Sequence, residues 1–148
     1  MQLLAEFIPE SFNSNVPLTW DLSCVSRAIA SFTVDSVKTT VEFERRGSGG
    51  PWHVTFEVAK GDSTEVAPSA FAIFNGVFQA VAEFIEAREP ETLVFATKRD
   101  ELANIYHTFL RKWSASIEEL GYRLDGPIQV DPYTEFMLTR VRPLGWKK

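Results

Sequence analysis

The segment Val37-Lys38-Thr39-Thr40-Val41-Glu42-Phe43-Glu44 decides the fold class, because residues of opposite character alternate along it. A period of two is typical of a half-buried β-strand. The stretch Trp52–Val58 repeats the alternation, and Arg45–Gly50 between the two has the glycine-rich composition of a turn. A similar pattern begins upstream at Ile29. The sequence therefore predicts a three-stranded antiparallel meander over residues 29–60.

Two helices follow the meander. Ser69 is a suitable N-cap for the first, because its hydroxyl can accept a hydrogen bond from a free amide of the first turn. Apolar residues then recur at three- and four-residue spacing, which predicts a helix over 70–88: Phe71, Phe74, Phe78, Val81 and Ile85. The same spacing predicts a second helix over 99–120, ended by Gly121 in the left-handed conformation.

The remaining segments predict the other strands of the sheet. Thr92–Thr97, between the helices, is apolar without alternation, which is typical of a strand covered on both faces. Three closing strands are expected, separated by turns at Gly126-Pro127 and Asp131-Pro132: Tyr122–Leu124, Ile128–Val130 and Glu135–Val141. The order β-β-β-α-β-α-β-β predicts an α+β fold, with two main helices on the faces of a mixed, mostly antiparallel sheet of about six to seven strands.

The chain of 148 residues is predicted to form a single domain over 1–148, with an irregular segment at 1–28 and a folded core at 29–142. Within the irregular segment, the sequence leaves open whether Trp20, Leu22 and Val25 form a short strand or a turn. The net charge of −5 makes a nucleic-acid partner unlikely. One cysteine, Cys24, allows no internal disulfide and suits a reducing compartment. No apolar stretch reaches the roughly 20 residues of a membrane helix, so we expect a cytoplasmic protein without membrane contact.

The element order resembles the Gcn5-related N-acetyltransferase fold, with the resemblance covering about residues 29–142 as topology. Val66-Ala67-Pro68 is similar to the entry of that family's cofactor helix, and Leu120-Gly121-Tyr122 to the Leu-Gly-Phe that closes its second helix. The resemblance implies acetyl-CoA as the cofactor of an N-acyltransferase. It also implies a general base on the strand before the cofactor helix, a position that Glu57 occupies here.

The motifs of that family are degenerate in this chain. The family holds the coenzyme pyrophosphate with an Arg/Gln-x-x-Gly-x-Gly/Ala loop, whereas the segment Ser69–Gly76 has one glycine, no arginine and two phenylalanines. Ser69, Asn75 and Gly76 are the candidate cofactor residues if the chain is an enzyme. Ile117 replaces the family's proton-donating tyrosine. Tyr106 and Tyr122 are then the candidate substitutes.

A second resemblance links the chain to small uncharacterised proteins of tailed bacteriophages. It rests on the strand Leu93-Val94-Phe95-Ala96, the pair Ile105-Tyr106 and the pair Gly121-Tyr122, although Glu101-Leu102 replaces the Ser-Arg that often opens their helix. It implies a viral or prophage origin and a host-directed role.

Other chemistries have little support in the sequence. His53 and His107 lack ligand spacing, so no metal site is expected. Cys24 is more readily explained as a small buried residue than as a nucleophile. Basic pairs such as Arg45-Arg46 are expected to be solvated surface, with phosphate contact as the alternative. Gly47–Gly50 joins two strands and opens no helix, which favours a flexible hairpin tip over a phosphate loop.

We therefore hypothesise a non-catalytic binding protein on an acetyltransferase-like scaffold, with no cofactor. Its partner is expected to be a protein, and under the phage resemblance a host protein in the host cytoplasm. The contacts are expected in the aromatic-rich N-terminal segment or at the hairpin tip, because aromatic side chains anchor interfaces. The alternative is an acyl-CoA-dependent N-acetyltransferase with an atypical cofactor loop, which would use acetyl-CoA.

Overall fold

The computed structural model describes residues 16–34, 36–47, 49–59 and 70–145, and at 70, 71, 101 and 102 the backbone alone. These ranges contain seven strands and three helices. In chain order they are β1 (Thr19–Cys24), β2 (Arg27–Val34), β3 (Val37–Arg45), β4 (Trp52–Val58), α1 (Ala70–Arg88), β5 (Thr92–Thr97), α2 (Asp100–Lys112), α3 (Ser114–Glu119), β6 (Tyr122–Val130) and β7 (Tyr133–Arg140).

The strands form one mixed sheet in the order β1-β2-β3-β4-β5-β7-β6. Only β4 and β5 pair in parallel, and every other neighbouring pair is antiparallel. The predicted α+β class and the predicted meander are therefore confirmed. The meander forms β2, β3 and β4, whose register runs without a shift from the pair Arg27 and Glu44 to the pair Thr39 and Val58.

Both long helices lie on the same face of the sheet rather than on opposite faces. Phe84 of α1 packs on Phe43 and Trp52, while Tyr106 of α2 packs on Phe95 and Phe136. The connections from β4 to β5 and from β5 to β6 cross the sheet in the same direction. Because such crossovers are right-handed, successive crossovers in one direction place their helices on one side.

The N-terminal part of the described chain is more regular than the sequence predicts, because β1 lies within the segment expected to be irregular. Two side chains of α1 form hydrogen bonds with this N-terminal segment. The Trp20 Nε1–H donates to the Glu83 carboxylate at 3.0 Å. The Gln79 side-chain amide accepts from the backbone N–H of Val16 at 3.1 Å and donates to its carbonyl at 2.9 Å. Five of the six β1 residues are exposed, so hydrophobic periodicity gives little sign of this edge strand.

The predicted second helix is divided at Trp113 into α2 and α3. Trp113 adopts φ −94° and ψ 8°, while its ring is buried and stacks on Phe78 at 4.4 Å between centroids. Hydrogen bonds from Trp113 to the Phe109 carbonyl and from Ile117 to the Trp113 carbonyl continue across the break. The apolar spacing is therefore uninterrupted, which is why it predicts one helix. Gly121 has φ +86°, as expected of a helix terminator.

The closing hairpin also differs from the prediction. Gly126-Pro127 is not a turn, because β6 continues through it from Tyr122 to Val130 with a register shift between Asp125 and Ile128. Two residues of β6, Gly126 and Pro127, therefore lie opposite the single residue Phe136 of β7, and this one extra residue forms a bulge that bends the strand while it stays paired. Asp131-Pro132 is the connection between β6 and β7, as predicted. Cys24, expected to be buried, is exposed because β1 ends there at the edge of the sheet.

Candidate functional site

The three candidate catalytic residues lie on two different sides of the sheet. Glu57 is an exposed residue of β4, between Phe56 and Val58, which pack against the helix-side core. Its side chain therefore points to the face without helices. Tyr106 and Tyr122 are both buried on the helix side. The structure thus does not bring the proposed base and the proposed proton donors together.

The side chains of Tyr106 and Tyr122 are buried in contacts that stabilise the fold. The Tyr106 ring makes edge contacts with four aromatic rings: Phe56, Phe74, Phe95 and Phe136. Burial raises its pKa well above the ordinary value for tyrosine. The Tyr122 hydroxyl donates to the Pro90 carbonyl, and burial raises the pKa of Tyr122 to about 12. A buried phenol with a raised pKa is a poor proton donor at neutral pH.

The candidate cofactor residues do not form a phosphate loop within the described chain. Ser69 lies outside the described residues. Asn75 and Gly76 are in the second turn of α1, and Asn75 is buried. Gly76 faces the sheet so closely that a Cβ atom there would overlap the Phe32 ring. Its missing side chain therefore accommodates Phe32.

The parallel strands β4 and β5 pair only over their first halves, and we call the gap between their second halves the notch. Their parallel pairing covers Trp52 to Val54 on β4, so the next four residues of β4 have no partner on that side among the described residues. Beneath the notch on the helix side, Phe56 packs on Phe74 at 5.1 Å and on Tyr106 at 5.9 Å between centroids. Aromatic rings thus fill the helix side of the opening.

The face away from α1 and α2, the open face, is acidic over the central strands. Strand pairing places Glu44 beside His53, and Ala96 beside Glu135. With Glu57, the glutamates Glu44 and Glu135 form what we call the acidic floor. None of these three forms an ion pair within the described part of the chain, whereas the neighbouring Glu42 pairs with Arg27 at 2.6 Å.

Two cavities flank the glycine-rich loop between β3 and β4. The first, of about 370 Å³, lies on the open face beside His53, Glu135 and Met137. The second, of about 330 Å³, lies beside Arg45, Trp52 and Arg88. Both cavities share three residues, Gly49, Gly50 and Glu91. The loop therefore forms a wall between an open-face cavity and one with two arginines.

The left-handed backbone of the loop explains its composition. Gly47 has φ +76° and Gly49 has φ +81°, values that residues with a Cβ atom adopt at a cost. A Cβ at Gly50 would lie 2.7 Å from the Arg46 carbonyl oxygen. The glycines are thus required by a defined turn, rather than only conferring the flexibility predicted for this hairpin tip.

The structure does not assemble the residues considered for metal or thiol chemistry. His53 lies on β4 and His107 on α2, on opposite sides of the sheet, and His107 is near the buried Phe136 ring at 6.0 Å. Within the described residues no group of three histidine, cysteine or acidic side chains could hold a metal ion. The Cys24 Sγ atom lies 3.5 Å from the Ser26 hydroxyl, and this hydrogen bond lowers the thiol pKa.

Sequence reasoning missed the residues of the second cavity. In the sequence, Arg45 belongs to a basic pair expected to be solvated, and Trp52 is one of the alternating residues of a predicted strand. Arg88 was merely the last residue of a helix. The cross-strand pairing of Arg45 with Trp52 follows from the register of the meander, so this contact is predictable from the sequence. The approach of Arg88 to the Trp52 ring has no such signal in the sequence, because it depends on how α1 packs on the sheet.

Comparison of the chain with family models, with curated proteins and with solved structures found no match. Of the helices that the structure describes, none combines the length and the apolar character needed to cross a membrane. The candidate site therefore has to be judged on its own geometry.

Proposed function

We propose that the chain is a non-catalytic binding protein, on an acetyltransferase-like scaffold, whose open face binds a basic region of a protein partner. The observation that carries the proposal is the acidic floor, three glutamates without ion pairs in the described chain, on the sheet face that none of the described helices covers. An acidic surface attracts a complementary basic one and excludes acidic competitors.

The charges elsewhere on the open face strengthen this reading. Alternation and register also place Asp21, Asp125, Arg27, Lys38 and Arg123 there. Two of the cations are already bound to carboxylates of the same face, since Arg27 pairs with Glu42 and Arg123 with Asp125 at 3.0 Å. Lys38 and Lys98, the latter 5.4 Å from the Tyr133 ring, are the cations of this face without a salt bridge in the described chain, against four such carboxylates, those of Asp21, Glu44, Glu57 and Glu135.

The position of the candidate catalytic groups supports a non-catalytic role. N-acyl transfer requires a base for the amine and a proton source for the departing thiolate at one reacting centre. Glu57 is separated from the buried Tyr106 and Tyr122 by the sheet itself. The rings of Phe56 and Phe74 also occupy the helix side of the notch.

The first test maps the surface that a basic ligand contacts. An oligolysine peptide is titrated into the ¹⁵N-labelled protein at low ionic strength, and the amide shifts are followed. We expect shifts on β3, β4 and β7, and binding about tenfold weaker when the acidic floor is changed together to glutamine. Each exposed ion pair contributes roughly 0.5 kcal/mol, so three account for that factor.

The matched control removes the same charge from the helix side, with Glu86→Gln, Glu118→Gln and Asp100→Asn combined; all three residues are exposed. This variant is expected to bind nearly as well as the unchanged protein. Equal loss in both variants would mean that net charge alone attracts the peptide, and would overturn the proposal. So would shifts confined to the helices.

The second test addresses the enzymatic alternative. Under that alternative, millimolar acetyl-CoA with a micromolar dissociation constant would stabilise the folded protein by about 4 kcal/mol. We expect no shift of the melting temperature and no thiol release with a panel of amines. Turnover that disappears in Glu57→Gln would establish an acetyltransferase. A phage origin and a host protein as the partner remain predictions, which identification of the bound protein would decide.

A further inference from the structure

Two arginines converge on one tryptophan ring beside the second cavity. The Arg45 guanidinium lies over the Trp52 ring, 5.0 Å from its centroid, and the Arg88 guanidinium lies 5.9 Å from the same centroid. Arg88 is also 5.9 Å from the Phe84 ring. Trp52 is 4% exposed, so its ring is a fixed platform. Stacking on aromatic rings orients guanidinium groups while leaving their N–H edges able to donate.

Neither guanidinium is neutralised by an ion pair within the described residues. The Arg45 Nε atom is buried without a hydrogen-bond partner there, which is costly for a charged donor. Of the acidic groups at the cavity, Glu89 is already occupied. Its carboxylate accepts from Arg142 Nη1 at 2.7 Å and from the Gly145 backbone N–H at 2.9 Å. Glu91 is exposed and is the single competing carboxylate on the described wall.

The size of the cavity bears on the ligand. Two guanidinium groups offer more donors than the two oxygens of a carboxylate require, whereas a phosphate monoester has three terminal oxygens and nearly two negative charges. A volume of about 330 Å³ also exceeds what a free anion fills. The wall formed by Gly49 and Gly50 has no side chains that would narrow the entrance.

We propose that the arginine cavity, formed by Arg45, Trp52, Arg88, Gly49 and Gly50, binds a phosphate monoester. The two guanidinium groups hold the phosphate, and the remaining volume accommodates the organic group. This site is independent of the proposed partner surface, because it lies on the helix side of the loop while the acidic floor lies on the open face.

The test follows the Trp52 indole N–H and the Arg45 Nε–H resonances while inorganic phosphate, glycerol phosphate or acetate is added at constant ionic strength. We expect saturable shifts with both phosphates, glycerol phosphate binding at least as tightly as the free anion, and much weaker binding of acetate. Arg88→Gln is expected to weaken phosphate binding by about tenfold or more, through loss of charge-assisted hydrogen bonds. Arg88→Lys keeps the positive charge and most of the packing but loses the planar guanidinium with its paired N–H donors, so an intermediate loss of phosphate affinity is expected.

Two further variants make the test specific. Arg111→Gln removes an exposed arginine of α2 that does not line the cavity and is expected to leave the affinity unchanged. Glu91→Gln removes the competing carboxylate and is expected to tighten binding several-fold. Shifts that do not saturate, or an affinity that is the same in Arg88→Gln, Arg88→Lys and the unchanged protein, would overturn the site. Tighter binding of acetate than of phosphate would overturn the ligand class.

Discussion

The two faces of the sheet are made by alternate residues of the same strands, yet they differ in almost every property. On β7, Phe136 and Leu138 are buried beneath the helices, while Glu135 and Met137, which alternate with them, are only half-buried on the open face. The helix face contains the aromatic contacts that join α1 to the sheet, α1 to α2, and α2 to the sheet. Substitutions on the helix face should therefore affect folding, whereas substitutions on the open face should affect binding if that face contacts the proposed partner.

The largest expected difference is between two adjacent residues of β7. Leu138→Ala removes a fully buried side chain and should lower the free energy of unfolding by about 2–5 kcal/mol. Met137→Ala removes a side chain of similar size from a half-buried position on the open face and should cost about 1 kcal/mol. Urea denaturation of both variants measures the contrast. Equal losses would show that the open face is also part of the core.

The sequence predicts the helix face well, because burial on one side of a strand or helix leaves a periodic trace. The alternation of Val41 and Phe43 with Glu42 and Glu44 is such a trace. The placement of both helices on one face leaves no local trace and follows only from crossover handedness once the strand order is known. The sequence leaves the segment of β1 open between a strand and a turn, because its contacts, such as the bond from Trp20 to Glu83, depend on a helix 63 residues away.

A smaller effect should appear at high pH through the buried tyrosines of the helix face. The pKa of Tyr122 is raised to about 12 in the folded protein by burial, against 10.0 when unfolded, and the pKa of Tyr106 is raised in the same direction. Their stabilisation is therefore complete below about pH 10. This stabilisation is lost as the pH rises above 10, because the unfolded chain releases these protons first. The free energy of unfolding should then fall by about 1.4 kcal/mol per pH unit for each tyrosine.

The variant Tyr122→Phe separates the contribution of Tyr122 to the pH dependence of stability from that of Tyr106. At neutral pH this variant should be less stable by about 1 kcal/mol, because the Pro90 carbonyl loses its donor. Above pH 10 the difference from the unchanged protein should shrink, since phenylalanine does not titrate. Urea denaturation at neutral pH and in half-unit steps above pH 9 follows both. A difference that stays constant with pH would contradict the assigned role of the Tyr122 hydroxyl.

The candidate site is less predictable from sequence than the fold, for a physical reason. The family resemblance makes Glu57 and Tyr106 possible catalytic partners, whereas strand alternation places Glu57 on the face opposite the half-buried Phe56. The cavities beside Gly49 and Gly50 are different, since they exist where two connections from distant parts of the chain approach each other. No local pattern in either connection records that approach.

The smallest expected effect on stability is at Glu57, and it is the sharpest test of what the open face does. Glu57 is exposed, and its carboxylate forms no ion pair in the described chain. Glu57→Gln should therefore change the free energy of unfolding by less than about 0.5 kcal/mol. It should nevertheless weaken oligolysine binding by about twofold at low ionic strength, and this loss should vanish in high salt, because screening removes exposed charge interactions. A large loss of stability would place Glu57 in the structural core, and unchanged binding at low salt would remove it from the acidic floor.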